Sequence, residues 1–208
     1  MTLLQSVVGF ALLAAVVTVT PGLDTVLVLR QALRGGRPPA FAAAAGICLG
    51  AWIWGIAAAA GVAALFVASQ IAYEVLRWAG VGFLLYLAWG YLRSAWRGAV
   101  VHDLSAGTVE TTREAFVKGL LTDLLNPKMA AFYLTVLPLF LPAGYAPALA
   151  GAILAGIHAL VAFAWFAVIT LGAQAMRAFL TSRRGARVID GAAGTAMLGF
   201  GVALGLER

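Results

Sequence analysis

Long apolar runs separated by short polar connections make up nearly all of this chain. A membrane-spanning helix needs about 20 consecutive, mostly apolar residues. The runs predict six such helices, at roughly residues 3–30, 39–68, 71–95, 114–141, 146–176 and 186–206. Several runs are longer than a straight span requires, which predicts tilt or a break within the helix.

The connections between these runs alternate in charge. Most of the arginines lie in or beside the first, third and fifth connections. The second connection carries only Glu74 and Arg77, and the fourth, at 141–147, carries no charged residue. Because positively charged connections stay on the cytoplasmic side, we expect a multi-pass protein of a bacterial-type cytoplasmic (inner) membrane, with both termini outside.

Six spans form two groups of three that enter the membrane from opposite sides. A repeat built from these groups would be inverted, with its two-fold axis in the membrane plane. We therefore expect an all-α membrane protein with a first three-helix repeat at 1–96, a cytoplasmic linker at 97–113 and a second repeat at 114–208. A count of five spans is the alternative, but it removes the alternation of charge.

Two apolar runs, the first and the fourth, are interrupted by a proline with ionisable residues beside it. An ionised side chain inside a bilayer costs roughly 2.5–3.5 kcal/mol on insertion scales. Interruptions at matching places in two repeats indicate a transporter binding site. The candidate substrate-binding or proton-coupling residues are Thr20, Pro21, Gly22, Asp24, Asp123, Asn126, Pro127 and Lys128.

Each proline is expected to break its helix. Proline has no N–H and clashes with the carbonyl four residues before it. Pro21 therefore frees the carbonyl of Val17, and Pro127 frees that of Asp123. Because free backbone groups survive in a membrane only when they are buried in protein or line a wet cavity, the two breaks are expected to meet around one polar pocket.

The residues beside the breaks suit a zwitterionic substrate, because the ends of half-helices carry opposite partial charges. Asp24 and Asp123 are candidates for binding a proton or a substrate ammonium, and Lys128 for binding a carboxylate or tuning a nearby acid. Asn126 and Thr20 would supply neutral hydrogen bonds. The alternative is a packing kink, with Asp24 and Lys128 as a buried ion pair.

At these residues the chain resembles the lysine exporter family, the LysE/RhtB group of amino-acid efflux proteins. The resemblance is carried by Pro-Gly-Leu-Asp at 21–24, Gly-Leu-Leu-Thr-Asp-Leu-Leu-Asn-Pro-Lys at 119–128 and Arg-Gly-Gly-Arg at 34–37. Leu23 stands where the family motif has a second proline, and Asp123 where it has asparagine. The resemblance implies export of a small amino acid or derivative, driven by proton antiport.

Composition agrees with a membrane setting. The chain is 63% hydrophobic and 11% charged, whereas soluble domains are about 45–50% apolar and about 25% charged. The lipid bilayer is therefore an expected partner. The net charge of +6 is explained by cytoplasmic arginines, so no nucleic-acid partner is indicated. A single cysteine, Cys48, excludes an intramolecular disulfide.

Two other function classes remain as alternatives, an intramembrane enzyme and an ion or metabolite channel. The sequence has no His-Glu-x-x-His or Gly-x-Ser-x-Gly motif, so no catalytic residue, metal or cofactor is expected. His158 is a candidate proton shuttle, or a packing residue. The Gly-x-x-x-Gly pairs at 46–50 and 201–205 predict close helix packing within one protomer, or a homodimer contact.

Overall fold

A computed structural model of the chain describes residues 2–68, 70–97, 110–180 and 182–206. Every regular element in these ranges is helical, which confirms the predicted all-α class there. The helices are α1 Leu3–Val19, α2 Leu23–Arg34, α3 Arg37–Ala68, α4 Gln70–Arg97, α5 Thr112–Leu124, α6 Pro127–Thr135, a short 3₁₀ helix Leu137–Phe140, α7 Pro147–Leu171, α8 Ala173–Leu180 and α9 Arg183–Leu206.

These helices follow the predicted apolar runs, and several are apolar enough for a membrane protein. Among the described residues, 37–61 of α3 and all of α7 are long and apolar enough to cross a membrane alone. The bent pair α1–α2 would be a third span. By length and hydropathy alone, the structure thus gives up to three spans, fewer than the six predicted.

The first predicted break is present. α1 ends at Val19, and α2 runs on from Leu23 at an angle of 56° to it. Thr20 is extended, with ψ of 122°, as expected for the residue before a proline. The sequence therefore located this break correctly.

The second break separates α5 from α6. Pro127 takes the first position of α6, where a missing N–H costs nothing because the first helical N–H groups have no intrahelical partner. The Asp123 carbonyl that Pro127 leaves without its helical partner accepts the Asn126 N–H, at 3.1 Å. The fourth apolar run is thus two half-helices joined at residues 125–126.

Two predicted segments need comment. The fifth run was expected to be one helix over 146–176, but α7 ends at Leu171 and α8 starts at Ala173. Gly172 caps α7 between them, and glycine commonly ends helices because it has no Cβ. Most of the predicted linker at 97–113 lies outside the described residues, and the division into repeats stays a prediction.

α3 lies at the centre of the fold, between α5 and α7, while α4 packs along α9. Glycines let α3 approach α5 closely. A Cβ placed at Gly46 would collide with the Phe116 carbonyl oxygen, and one at Gly119 would collide with that of Ala43. The pair at 46–50 therefore serves packing within one protomer, and it brings α5, with Asp123, against α3.

Candidate functional site

The two helix breaks meet in the folded chain. The Asn126 side-chain amide, at the second break, donates to Asp24 Oδ2 at 3.0 Å, just after the first break. The Lys128 ammonium donates to the Val17 carbonyl at 3.3 Å. The predicted contact between the two interrupted helices is therefore confirmed, although the two breaks lie far apart in the sequence.

Asn126 connects the breaks through two hydrogen bonds. Its side-chain oxygen accepts the Lys128 backbone N–H at 3.0 Å, which caps the start of α6. Its amide nitrogen then points to Asp24. Asp24 lies in the first turn of α2, where the partial positive charge of a helix N-terminus favours a carboxylate.

Lys128 occupies the space that the first break opens. It binds the Val17 carbonyl, which Pro21 leaves without its helical partner, so this predicted free carbonyl has a cationic donor. Gly22 makes room for it, since a Cβ at position 22 would lie 3.0 Å from Lys128 Nζ. The C-terminal end of α1 is also the negative pole of that helix, which suits an ammonium group.

Asp123 is the most deeply buried acid of the site. Its relative exposure is 0%, and within the described part of the chain neither carboxylate oxygen has a hydrogen-bond partner. It presses against α3, where a Cβ at Gly50 would lie 2.7 Å from its Oδ2. Because an unpaired buried charge is costly, this carboxyl is suited to take up a proton or face a cation.

The space between these groups is small and nearly closed. Asp24, Asp123, Lys128 and Gly22 line a cavity of about 20 Å³, room for about one water molecule. An amino acid enters it only if the helices move apart. The site in this structure is therefore closed to a substrate of that size.

The whole-chain comparison identifies the family. The model of the LysE type translocator family matches residues 15–208. This chain belongs to that family. A threonine efflux protein of Escherichia coli strain K12 is 33% identical over 214 residues, which cover 95% of this chain and 96% of that protein.

Two further relatives are similar to this chain. A homoserine/homoserine lactone efflux protein of Salmonella typhi is 27% identical over 134 residues, 64% of this chain and 63% of that protein. An uncharacterized membrane protein of Pseudomonas aeruginosa is 32% identical over 194 residues, 90% of this chain and 89% of that protein. No solved structure matches the chain significantly.

Membership of the LysE family makes this chain a membrane transporter and not an enzyme. Among the described residues, no group of three or more His, Cys, Asp or Glu side chains is placed to hold a metal ion.

The remaining predicted site residues lie outside the cavity wall, beside the two breaks. The Thr20 hydroxyl donates to the Val16 carbonyl at 2.5 Å and also contacts the Tyr91 hydroxyl, so it completes its own helix end. Pro21 and Pro127 create the breaks, and the Asn126 side-chain amide donates to the Asp24 carboxylate. These four residues are absent from the cavity wall.

Two threonines of the cavity wall were not among the predicted site residues, and His158 was named only as a candidate proton shuttle or a packing residue. Thr18 and Thr25 lie within one helical turn of the first break, and that closeness was a usable signal. His158 lies in α7 and also faces the cavity. Its position beside the breaks depends on helix packing between distant segments of the chain, which the sequence does not show.

Proposed function

We propose that this protein is a secondary transporter that exports a small amino acid from the cytoplasm in exchange for protons. The observation that carries the proposal is the meeting of opposite charges, Asp24 and Lys128, at two helix breaks that face one closed cavity. The LysE family and its named efflux members support the direction and the class of substrate.

The charges at the breaks match the two ends of a zwitterion. Lys128 and the N-terminal end of α6 would hold the substrate carboxylate, because both are positive. Asp24 would accept the substrate ammonium. Both interactions occur away from bulk water, where charge-assisted hydrogen bonds are shorter and stronger than neutral ones.

We assign the coupling proton to Asp123. Its carboxyl interacts electrostatically with both Asp24 and Lys128, so three ionisable groups share one small space. A substrate ammonium bound at Asp24 would add a positive charge beside Asp123 and so favour loss of the proton from that carboxyl. Release of the substrate would then favour proton uptake, which is the exchange that antiport requires.

The six-span, inverted arrangement is part of the proposal. Helix contacts occur in pairs that such symmetry would produce. The fourth predicted span packs on the second through α5 and α3, and the first packs on the fifth through α1 and α7. The third and sixth spans, α4 and α9, pack on each other. Rocking of one half against the other would alternate access to the cavity.

Small hydroxylated amino acids are the first substrates to test. Two of the relatives carry the names threonine efflux protein and homoserine/homoserine lactone efflux protein. The wall beside the charges includes Thr25, whose hydroxyl suits a substrate side chain that can hydrogen-bond. We therefore place threonine and homoserine ahead of the cationic amino acids.

Threonine counterflow in proteoliposomes tests this function. We expect the wild-type protein to exchange labelled for unlabelled threonine, and Asp24→Asn and Lys128→Ala each to abolish that exchange, because each removes one charge that holds the zwitterion. Arg113→Ala removes an exposed charge at the start of α5 and is expected to transport normally. Gel filtration and thermal unfolding establish that all variants are folded.

Normal counterflow by both site variants would overturn the site assignment. Unitary currents in a planar bilayer, without counterflow, would instead establish a channel.

A further inference from the structure

A histidine cluster ties three helices together beside the cavity. His158 of α7 lies between two hydroxyls. Its Nε2 is 3.1 Å from Thr18 Oγ1 in α1, and its Nδ1 is 2.8 Å from Tyr133 Oη in α6. All three residues are buried, with Tyr133 at 0% exposure. One residue of α7 thus links the half-helix before the first break to the half-helix after the second.

The imidazole ring is held on its faces as well as at its nitrogens. Tyr133 stacks on it at 5.6 Å between ring centroids, while Phe132 and Phe10 contact it edge-on at 5.5 and 6.3 Å. A neutral imidazole has one donor and one acceptor nitrogen, and hydroxyls rotate to suit either. Both ring nitrogens are therefore satisfied, and the ring has little freedom to move.

The two half-helices that this cluster joins also touch through aromatic side chains away from the breaks. Phe10 of α1 contacts Phe132 of α6 at 5.6 Å and Phe140 of the following 3₁₀ helix at 5.9 Å. α1 and α6 hence cover the same side of the cavity. By the charge pattern of the connections, that side faces outward.

A glutamate cluster joins the other two half-helices on the opposite side. Gln31 Nε2 of α2 donates to Glu110 Oε2 at 2.6 Å, and Lys118 Nζ of α5 donates to Glu110 Oε1 at 2.5 Å. α2 follows the first break and α5 precedes the second. Glu110 therefore bridges the half-helices that the histidine cluster leaves out.

We propose that His158 is a positioning residue that closes the outer side of the cavity by holding α1 to α6, while Glu110 closes the cytoplasmic side by holding α2 to α5. This inference rests on the proposed function, since alternating access requires the two clusters to open in turn. A cavity of about 20 Å³ is what the chain encloses when both are intact.

The two clusters differ in how easily they separate. The bond that joins α2 to the α5 segment is the one from Gln31 to Glu110. The Glu110 side chain is 18% exposed, so water can reach this bond and take over as a partner. The histidine cluster is buried among aromatic rings, and water is a poor replacement there. Without substrate, opening on the cytoplasmic side is the easier movement, and that is the side from which an exporter must collect its cargo.

Side-specific cysteine labelling tests this assignment. Cys48→Ser removes the only native cysteine, and Ala51→Cys then places a thiol in the cavity wall. In right-side-out vesicles, we expect Tyr133→Phe and Thr18→Val to raise the labelling rate by a membrane-impermeant methanethiosulfonate about tenfold, the scale of one lost buried hydrogen bond. His158→Ala should raise it at least as much, with partial rescue by His158→Gln.

The glutamate cluster supplies the matched control. In inside-out vesicles Gln31→Ala should raise labelling of the same thiol, and in right-side-out vesicles it should leave the rate unchanged. Equal acceleration from both sides by any histidine-cluster variant would indicate general loosening and overturn the proposal. Unchanged outside labelling in folded Tyr133→Phe and Thr18→Val proteins would also overturn it.

The labelling readout does not depend on the substrate. Side-specific labelling without threonine counterflow would keep the roles of the two clusters and refute the proposed cargo. Normal counterflow without side-specific labelling would do the reverse. The two proposals therefore fail in distinguishable ways.

Discussion

Among the ionisable residues of the site, Asp123 has the fewest hydrogen-bond partners to offset the cost of its burial. Asp24 has a hydrogen bond from Asn126 and Lys128 has the Val17 carbonyl, whereas Asp123 meets the backbone of α3 at Gly50. A protonated carboxyl is much cheaper than a carboxylate in such surroundings. A residue held in that environment is suited to change its protonation when a charged ligand arrives or leaves.

Asp123→Asn is expected to separate exchange from coupling. Asparagine keeps the shape but cannot take up a proton, so threonine counterflow should continue near the wild-type rate. Accumulation driven by a pH gradient should fall by about tenfold or more, because carboxyl groups in membrane helices act as proton relays. Both activities are measured in the same proteoliposomes, with and without the imposed gradient.

Asp190→Asn is a useful comparison for that experiment. Asp190 is another buried acid in an apolar helix, but it accepts a hydrogen bond from Ser94 at 2.5 Å, in the contact between α4 and α9. Loss of gradient-driven transport in this variant, with normal behaviour of Asp123→Asn, would show that the coupling proton was assigned to the wrong residue.

The sequence predicted which residues lie at the breaks better than it predicted where their side chains point. Asp24, Asp123 and Lys128 line the cavity as expected, because a charge in an apolar run has to be buried beside polar groups. The Thr20 hydroxyl was expected to face substrate but closes the end of α1 instead. Serine and threonine often bond to a carbonyl four residues back, and the sequence does not show which partner prevails.

At the level of elements, the first break forms without the second proline of the family motif. Gly22 is extended and precedes Leu23, the first residue of α2, which is 59% exposed. Pro21 and an extended Gly22 are therefore enough to end one helix and start the next. Leu23 occupies a position where the backbone N–H has no helical partner to lose.

Leu23→Pro is expected to be tolerated, while Val26→Pro is not. Proline suits the first position of a helix, and an extended Gly22 suits the residue before it, so stability should change by less than about 1 kcal/mol. Val26 donates its N–H to the Gly22 carbonyl at 3.0 Å. Its replacement should cost about 3 kcal/mol.

Thermal unfolding in detergent measures the difference between these two variants. Equal destabilisation by both would mean that the start of α2 lies elsewhere than at Leu23.

Element boundaries were predicted where a residue imposes them and missed where packing does. Pro21 and Pro127 force the two breaks, and both breaks lie where these prolines predict them. The end of α7 at Leu171 was missed, because a single glycine at 172 is compatible with a continuing helix in an apolar run. The partners of His158 were also beyond prediction, since Thr18 lies 140 residues away in the sequence.

For the whole molecule, the paired helix contacts and the alternating charges of the connections both support the proposed six-span topology. Inverted halves place the first and fourth connections on opposite sides of the membrane. Length and hydropathy support up to three spans among the described residues. α5 and α6, with 13 and 9 residues, are each too short to cross a membrane alone. α4 and α9 pack on each other, and α5 contacts α6, so each of these helices is partly covered by another helix.

Topology is testable with single cysteines in the Cys48→Ser background. We expect a membrane-impermeant maleimide to label Tyr145→Cys and Leu206→Cys in intact cells, because the fourth connection and the C-terminus face outward in the six-span arrangement. Arg113→Cys and Ser182→Cys should be labelled only after the cells are opened. All four positions lie at or near helix ends.

A five-span chain would place the C-terminus on the other side, so labelling of Leu206→Cys only after lysis would refute the proposed count.

The bond between Lys128 and the Val17 carbonyl has an evolutionary consequence. The carbonyl is available only because of a proline in the first half of the chain, and the cation that uses it comes from the second half. A lineage that lost Pro21 would regain an ordinary helical bond and strand the lysine. A substitution at position 21 in the first half would therefore change the surroundings of Lys128 in the second half.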